Sequence, residues 1–223
     1  MWNRNMSTSN AYPIISNGQY QGFKVNSRPL SSAYLEIILK TMQTAIIYHP
    51  RTFMVRFDLH LPQLNFCDSP VVYDSMVITK FFKSLTAKIR YDRFIKGRKA
   101  KRVHPCTLRY IWAKERADAD TDHYHVVIFL NKDAYSHLGN YNRNGQNLST
   151  KIVEAWASAL GLDDYSTRHL VHFPEDTPVY YINRNAQKYS QTFGNAFYRL
   201  SYFAKLETKH YGDRTRSFGY SLV

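Results

Sequence analysis

Two extended runs separated by a short polar link constrain this chain more than any other feature. Thr107–Glu115 (TLRYIWAKE) and His123–Leu130 (HYHVVIFL) have the length and the β-branched and aromatic content of strands. The intervening Arg116–Asp122 leaves room for little more than a turn. Strands joined so closely pair antiparallel, because a parallel pair needs a crossover of a dozen or more residues. An antiparallel sheet of apolar strands then needs helices to cover it.

The rest of the sequence supplies them. Tyr34, Leu35, Ile38, Leu39, Met42, Ile46 and Ile47 recur at helical spacing behind the capping pair Ser31-Ser32, predicting a helix to about Tyr48. Thr52–Leu61 reads as a strand stopped by Pro62, and about Asp74 to Arg93 as a second helix. Asn147–Ala159 predicts a third helix, Arg168–Phe173 and Val179–Ile182 short strands, and Ala186–Glu207 a long final helix with a broad aromatic face. The expected fold is α/β of the α+β kind: an antiparallel sheet of about five strands with helices packed on it. Residues 1–30, punctuated by Gly, Asn and Pro, read as an extended arm before a single domain at 31–223.

His123-Tyr124-His125 carries the first chemistry. Residues i and i+2 of a strand share a face, so the two imidazoles can grip one divalent ion. With 9 histidines in 223 residues, chance supplies roughly 0.4 such pairs, so the motif needs support. Glu115 provides it, since pairing across the link sets it opposite His123 on the same face. Two imidazoles and a carboxylate suit Mn²⁺ or Mg²⁺, and zinc would also bind. His60 and Asp122 are rival third ligands, and Asp58 and His60 also suit supporting or core roles.

A second constellation lies in Tyr198–Lys205 (YRLSYFAK). On a helix, Tyr198 and Tyr202 would be neighbours one turn apart, and Lys205 would follow Tyr202 on the same side. A tyrosine hydroxyl becomes an effective nucleophile when a cation lowers the cost of its ionisation, and a phenolate leaves well enough for the attack to be reversed. With 18 tyrosines such a spacing arises about 1.5 times by chance, and an aromatic core stripe explains Tyr198 equally well.

Charge points to the substrate. Against 17 acidic residues stand 30 Lys and Arg, a formal net charge of +13 that favours a polyanionic partner. Lys96, Arg98, Lys99, Lys101 and Arg102 cluster around Gly97 and suit phosphate neutralisation, and Arg184, Lys188, Lys209, Arg214 and Arg216 extend the candidate DNA surface. Cys67 and Cys106 form neither a disulfide framework nor a zinc module. No stretch approaches the ~20 apolar residues of a membrane span, and a cytoplasmic location is expected.

Taken together, the His-hydrophobic-His strand, the Glu before it and the Tyr-x-x-Lys segment resemble the HUH endonuclease superfamily. More narrowly, Arg109–Asn131, Tyr198–Lys209 and the closing Arg216-Ser217-Phe218-Gly219 resemble the inovirus gene-II replication proteins of YagK/YfjJ type. That resemblance implies an HUH-nuclease (RRM-like) architecture, metal ligands at His123, His125 and Glu115, a nucleophile at Tyr202 supported by Lys205, and a covalent 5′-phosphotyrosine link. It leaves open whether Tyr198 is a second nucleophile. The implied function is metal-dependent nicking and joining of single-stranded or hairpin origin DNA to start rolling-circle replication of a phage, prophage or small mobile element. No GxxxxGK[ST] loop is present, so a host helicase and replication machinery would act in trans. Other readings are relaxase or transposase nicking, a DNA-binding regulator on the same scaffold, and a metal-dependent phosphodiesterase whose tyrosines are core.

Overall fold

The computed structural model describes residues 13–62, 76–99, 102–115, 122–140, 145–176, 178–206 and 216–222. Lys101, Lys209 and Arg214, the first part of the arm and most of the 116–122 link lie outside the described residues.

Four two-residue strands come first: β1 (Ile14–Ile15), β2 (Gln19–Tyr20), β3 (Phe23–Lys24) and β4 (Leu30–Ser31). Helix α1 (Ser32–Tyr48) leads to strand β5 (Arg51–His60), helix α2 (Val77–Lys99) and the strands β6 (Arg109–Glu115) and β7 (His123–Asn131). Then come α3 (Leu148–Leu160), the single turn α4 (Asp164–Thr167), β8 (Val171–His172), β9 (Val179–Asn183), α5 (Tyr189–Ser201) and β10 (Phe218–Tyr220).

The central sheet is antiparallel and six-stranded, in the order β10-β6-β7-β5-β8, with β9 also on β5. β8 pairs with the end of β5 at Asp58 and Leu59 while β9 pairs with its beginning, Arg51 to Val55. The two share one edge, so six strands fill five positions; β10 is a strand that the sequence pattern does not predict.

Alternation along the strands divides the core in two. Phe53, Val55, Phe57 and Leu59 of β5 join Tyr124, Val126 and Ile128 of β7 beneath α2 and α3. Met54 of β5, Ile111 and Ala113 of β6 and Val127 and Phe129 of β7 face the other way, onto α1 and α5. Local residues fix the starts of α1 and α3 and the end of α3. Ser31 caps α1 by accepting from the Tyr34 N–H, and Asn147 caps α3 by accepting from the Thr150 N–H at 2.9 Å. α3 stops at Gly161, whose φ of 71° is the left-handed conformation that glycine adopts without steric cost. Trp156 of α3 is fully buried among Phe81 and Tyr124, so its truncation to Ala would cost about 3–5 kcal/mol.

Three expectations are corrected. The described part of the arm folds back on the domain: Val25 and Leu30 enter the α1/α5 core, and Phe23 packs on Phe193 and Phe197. α2 runs to Lys99 rather than Arg93, which places Lys96, Arg98 and Lys99 on the helix. The final helix ends at Ser201, where a 3₁₀ turn, Tyr202–Ala204, delivers Lys205 in an extended conformation. The cause is tertiary: Leu30 bridges to Lys205, and the Leu206 N–H donates to Pro29 O at 3.2 Å, pulling the chain off the helix axis.

Candidate metal and tyrosine site

The strand register assembles the site at one end of the sheet, on its α1/α5 face. Glu115 pairs with His123, Ala113 with His125, and on the other side His60 pairs with His123 and Asp58 with His125. Alternation then aims Glu115, His123, His125, Asp58 and His60 to one side. Among the described residues, Glu115, His123 and His125 form the one group able to hold a metal ion, each offering a ligand atom within 4.8 Å of the others.

The rival ligands have other engagements. The His60 ring stacks on His123, with centroids 5.4 Å apart, and its carbonyl accepts from Trp156 Nε1. Asp122 is bound by Lys114 at 2.8 Å.

His125 is the most constrained member. Its Nδ1 lies 2.7 Å from Asp58 Oδ1 and its Nε2 lies 3.2 Å from Glu115 Oε2. Burial would lower its pKa, but hydrogen bonds to Asp58 and then Glu115, with their charges, raise it above the ordinary histidine value. His123 is shifted downward, by burial first and then by the neighbouring His125 and His60 charges, so its ring stays neutral and ready to ligate. In Glu115, burial opposes ionisation, but hydrogen bonds and charges from His125 and then Lys205 bring the carboxyl down to about 2. Asp58 is likewise held low, with His125 outweighing the cost of burial.

One atom bears on whether the site fits a metal ion. Glu115 Oε1 is buried and has no hydrogen-bond partner among the described residues, although its sister Oε2 has two. A buried anionic oxygen left bare is expensive unless a cation meets it. Beside two imidazoles this donor set fits a divalent ion, and Asp58 completes a carboxylate–histidine pair that fixes the His125 ring.

Tyr202 closes the site from the helical side. Its ring meets His125 edge to face at a centroid distance of 5.9 Å. Lys205 Nζ donates to Tyr202 Oη and also lies 2.7 Å from Glu115 Oε2, so one ammonium ties the phenol to the triad. Lys205 is only 3% exposed despite its charge. Tyr198 does not join them. It is 39% exposed and borders a groove with Gly22, Lys24 and Asn195, where Lys24 Nζ sits 5.4 Å over its ring.

A family model described as the YagK/YfjJ C-terminal domain matches residues 16–221. The uncharacterised protein YagK of Escherichia coli K12 is 39% identical over 180 residues, covering 78% of this chain and 85% of YagK. The chain belongs to the YagK/YfjJ family. YfjJ of the same strain, also uncharacterised, is 35% identical over 196 residues, which are 85% of this chain and 94% of YfjJ. No solved structure matches.

The family's match spans every residue of the metal and tyrosine site. The basic residues are dispersed by comparison. β7 covers 9 residues, so its two ends lie about 26 Å apart. Arg93 and Lys96 lie over Tyr135, beyond the Asn131 end of that strand, and Lys96 also pairs with Asp92 at 3.2 Å. Lys96, Arg98 and Lys99 therefore belong to the end of the domain remote from the triad. Arg184, whose N–H donates to Pro50 O, and the exposed Lys188 are at that end too. Arg102 is exposed on the chain leading into β6, before its Arg109 end and so far from Glu115. Arg216 is near the site, two residues before Phe218, which pairs with Ala113. Among the described residues, no helix is long and apolar enough to cross a membrane.

Sequence patterns do not reveal two contributions. Asn26 fastens the end of α5, its Nδ2 donating to Tyr198 O at 3.1 Å and to Ser201 Oγ at 3.0 Å. Leu30 holds Lys205 by a β-bridge. An apolar–polar pattern cannot show either, because both depend on pairing across more than 170 residues of chain.

Proposed function

We propose that this chain is a metal-dependent endonuclease of HUH type that nicks and rejoins single-stranded DNA through Tyr202, initiating rolling-circle replication of a phage, prophage or small mobile element. The observation that carries the reading is the Lys205 ammonium, shared between Tyr202 Oη and the Glu115 carboxylate of the triad.

The residues divide the work. Lys205 stabilises negative charge on Tyr202 Oη as its proton departs to solvent, and Oη attacks phosphorus. The bond from phosphorus to the 3′-oxygen breaks, leaving a 5′-phosphotyrosine and a free 3′-hydroxyl once that oxygen is protonated. Attack by a DNA 3′-hydroxyl reverses the step, releasing the tyrosine and joining the strand. Glu115, His123 and His125 would hold Mn²⁺ or Mg²⁺, which when bound supplies Lewis-acid stabilisation of charge on the non-bridging oxygens. Asp58 keeps the His125 ring oriented. Charge of +13 over the whole chain favours approach of the strand.

Incubation with Mn²⁺ and labelled single strands from candidate origins, resolved on a denaturing gel, tests this. A covalent adduct present in wild type and in Tyr198→Phe but absent in Tyr202→Phe is expected. Failure to form an adduct with any candidate strand would overturn the nuclease reading and leave a DNA-binding regulator on this scaffold.

A further inference from the structure

Two arginines outside the triad converge on the corner occupied by Tyr202. Arg56 precedes Asp58 by two on β5, so its side chain leaves the same face of the sheet. Arg199 precedes Tyr202 by three at the end of α5, placing the two on one side of the helix end. Their surroundings also meet: the Arg56 N–H donates to Pro178 O at 2.7 Å, and Arg199 Nη2 reaches Asp176 O at 3.4 Å. Both therefore bear on the chain that enters β9.

Among the described residues, Arg56 has one long ion pair and Arg199 has none. Arg56 Nη2 stands 3.8 Å from Asp58 Oδ1, and that oxygen is already engaged by His125 at 2.7 Å. Arg199 meets a neutral carbonyl. Among the described residues, the Nε atoms of both are buried and without hydrogen-bond partners. The Arg56 side chain keeps only 14% of its exposure. Burial pulls its pKa below the ordinary value and the Arg199 charge adds to this, against Asp58, Tyr202 and Glu115. Partly dehydrated like charges held together are unfavourable unless an anion comes between them. The planar fork of arginine donors matches phosphate oxygens in pairs.

We propose that Arg56 and Arg199 form a phosphate subsite that grips the DNA backbone beside Tyr202, holding a phosphate that flanks the one attacked. The identity of the strand rests on the nickase reading; the anion site does not. The arginines fix the register of the backbone while the triad and Lys205 serve the reacting phosphate.

The test is binding of a fluorescein-labelled mixed-sequence single strand to the Tyr202→Phe protein in EDTA, where neither cutting nor metal contributes. Arg56→Gln and Arg199→Gln should each weaken binding about tenfold or more and reduce the slope of log affinity against log salt by about 1. Lys40→Gln, remote on α1 and paired with Glu36, should alter neither. A second measurement protects against misfolding of the Arg56 variant: in ¹⁵N spectra of Tyr202→Phe, the Arg56 and Arg199 Nε–H signals should shift on titration with inorganic phosphate. Unchanged affinity and slope in variants with native circular dichroism, or Nε–H signals unmoved by phosphate, would overturn the subsite. If wild type forms no adduct with any strand while the arginine variants lose affinity, the nickase reading falls and the subsite stands. If wild type forms the adduct while the arginine variants bind as tightly as their parent, the subsite falls and the nickase reading stands.

Discussion

Lys205 Nζ lies 2.7 Å from Glu115 Oε2, and both side chains are almost wholly removed from water. An ion pair so placed is sensitive to the loss of either partner, because the survivor keeps its burial cost and loses its compensation. Lys205→Met should therefore cost about 3 kcal/mol in urea unfolding, and it should slow covalent adduct formation at least about a hundredfold, since Tyr202 Oη loses its cation. Native adduct rates in Lys205→Met would separate the lysine from the chemistry.

The same cluster sets a pH window for the metal-free protein. Glu115 is held at about 2 against an ordinary 4.5, so its contribution to stability is complete above about 4.5 and drains away as pH falls towards 2. His125 is shifted upward from 6.5, so its contribution is complete below 6.5 and is lost as pH rises through the folded-state value. Melting temperatures in EDTA should therefore peak between these limits and decline on both sides. Glu115→Gln should shrink the acid limb and His125→Gln the alkaline one. A profile unchanged by either substitution would contradict this origin for the window.

Metal binding should run against the His125 proton. The imidazole holds carboxylate partners at both nitrogens in the metal-free state, so Nε2 must release a proton before it can ligate. Calorimetry with Mn²⁺ in buffers of different ionisation enthalpy should report proton release and one ion per chain, abolished in His123→Ala and His125→Ala. Asp58→Asn, which ligates nothing, should weaken affinity about 10–100-fold by releasing the ring. Undiminished affinity in Asp58→Asn would remove its orienting role.

Much of the fold and the triad is legible in the sequence because the informative signals are local. Two apolar strands flanking a short link imply their own pairing, and that pairing alone sets Glu115 opposite His123. Asp58 is visible on the right face of its strand, but its bond to His125 depends on the β5–β7 register, which no periodicity reveals. The end of the tyrosine segment is hidden for a related reason. Phe203 and Leu206 continue a helical apolar pattern, yet Leu30 captures Lys205 and the backbone turns away. Arg56 and Arg199 give no signal because isolated arginines carry no pattern; a buried Nε lacking a hydrogen bond among the described residues, together with a place beside Tyr202, distinguishes them.

The closing Ser-Phe-Gly shows how a glycine can be dictated by a distant ring. Gly219 pairs with Trp112, and a Cβ added there would stand 2.5 Å from Trp112 Cε2. The indole is itself packed against Tyr124 and mostly buried, so it has little freedom to retreat. Gly219→Ala should destabilise the fold by about 1–3 kcal/mol in urea. Combining it with Trp112→Phe should recover part of that loss, a non-additivity expected only of residues in contact. Strict additivity would place the strain elsewhere.

Asn26 offers the sharpest separation of positioning from chemistry. Its backbone N–H and Nδ2 both reach Ser201 Oγ at 3.0 Å, and Nδ2 also donates to Tyr198 O, a carbonyl in the last turn of α5 that Ser201 Oγ serves as well. Ser201 immediately precedes Tyr202, so this clasp holds the last turn of α5 while the Leu30–Lys205 bridge draws off the chain beyond it, and together they set how the phenol is presented. The triad, by contrast, is borne on β6 and β7 and does not depend on it. Asn26→Ala should therefore cost about 1–2 kcal/mol of stability and slow adduct formation, while Mn²⁺ affinity stays at the native value. Loss of metal affinity would mean that the amino-terminal segment supports the sheet end as a whole. An adduct rate unchanged in a destabilised protein would mean that Leu30 and Lys205 suffice to hold Tyr202 in place.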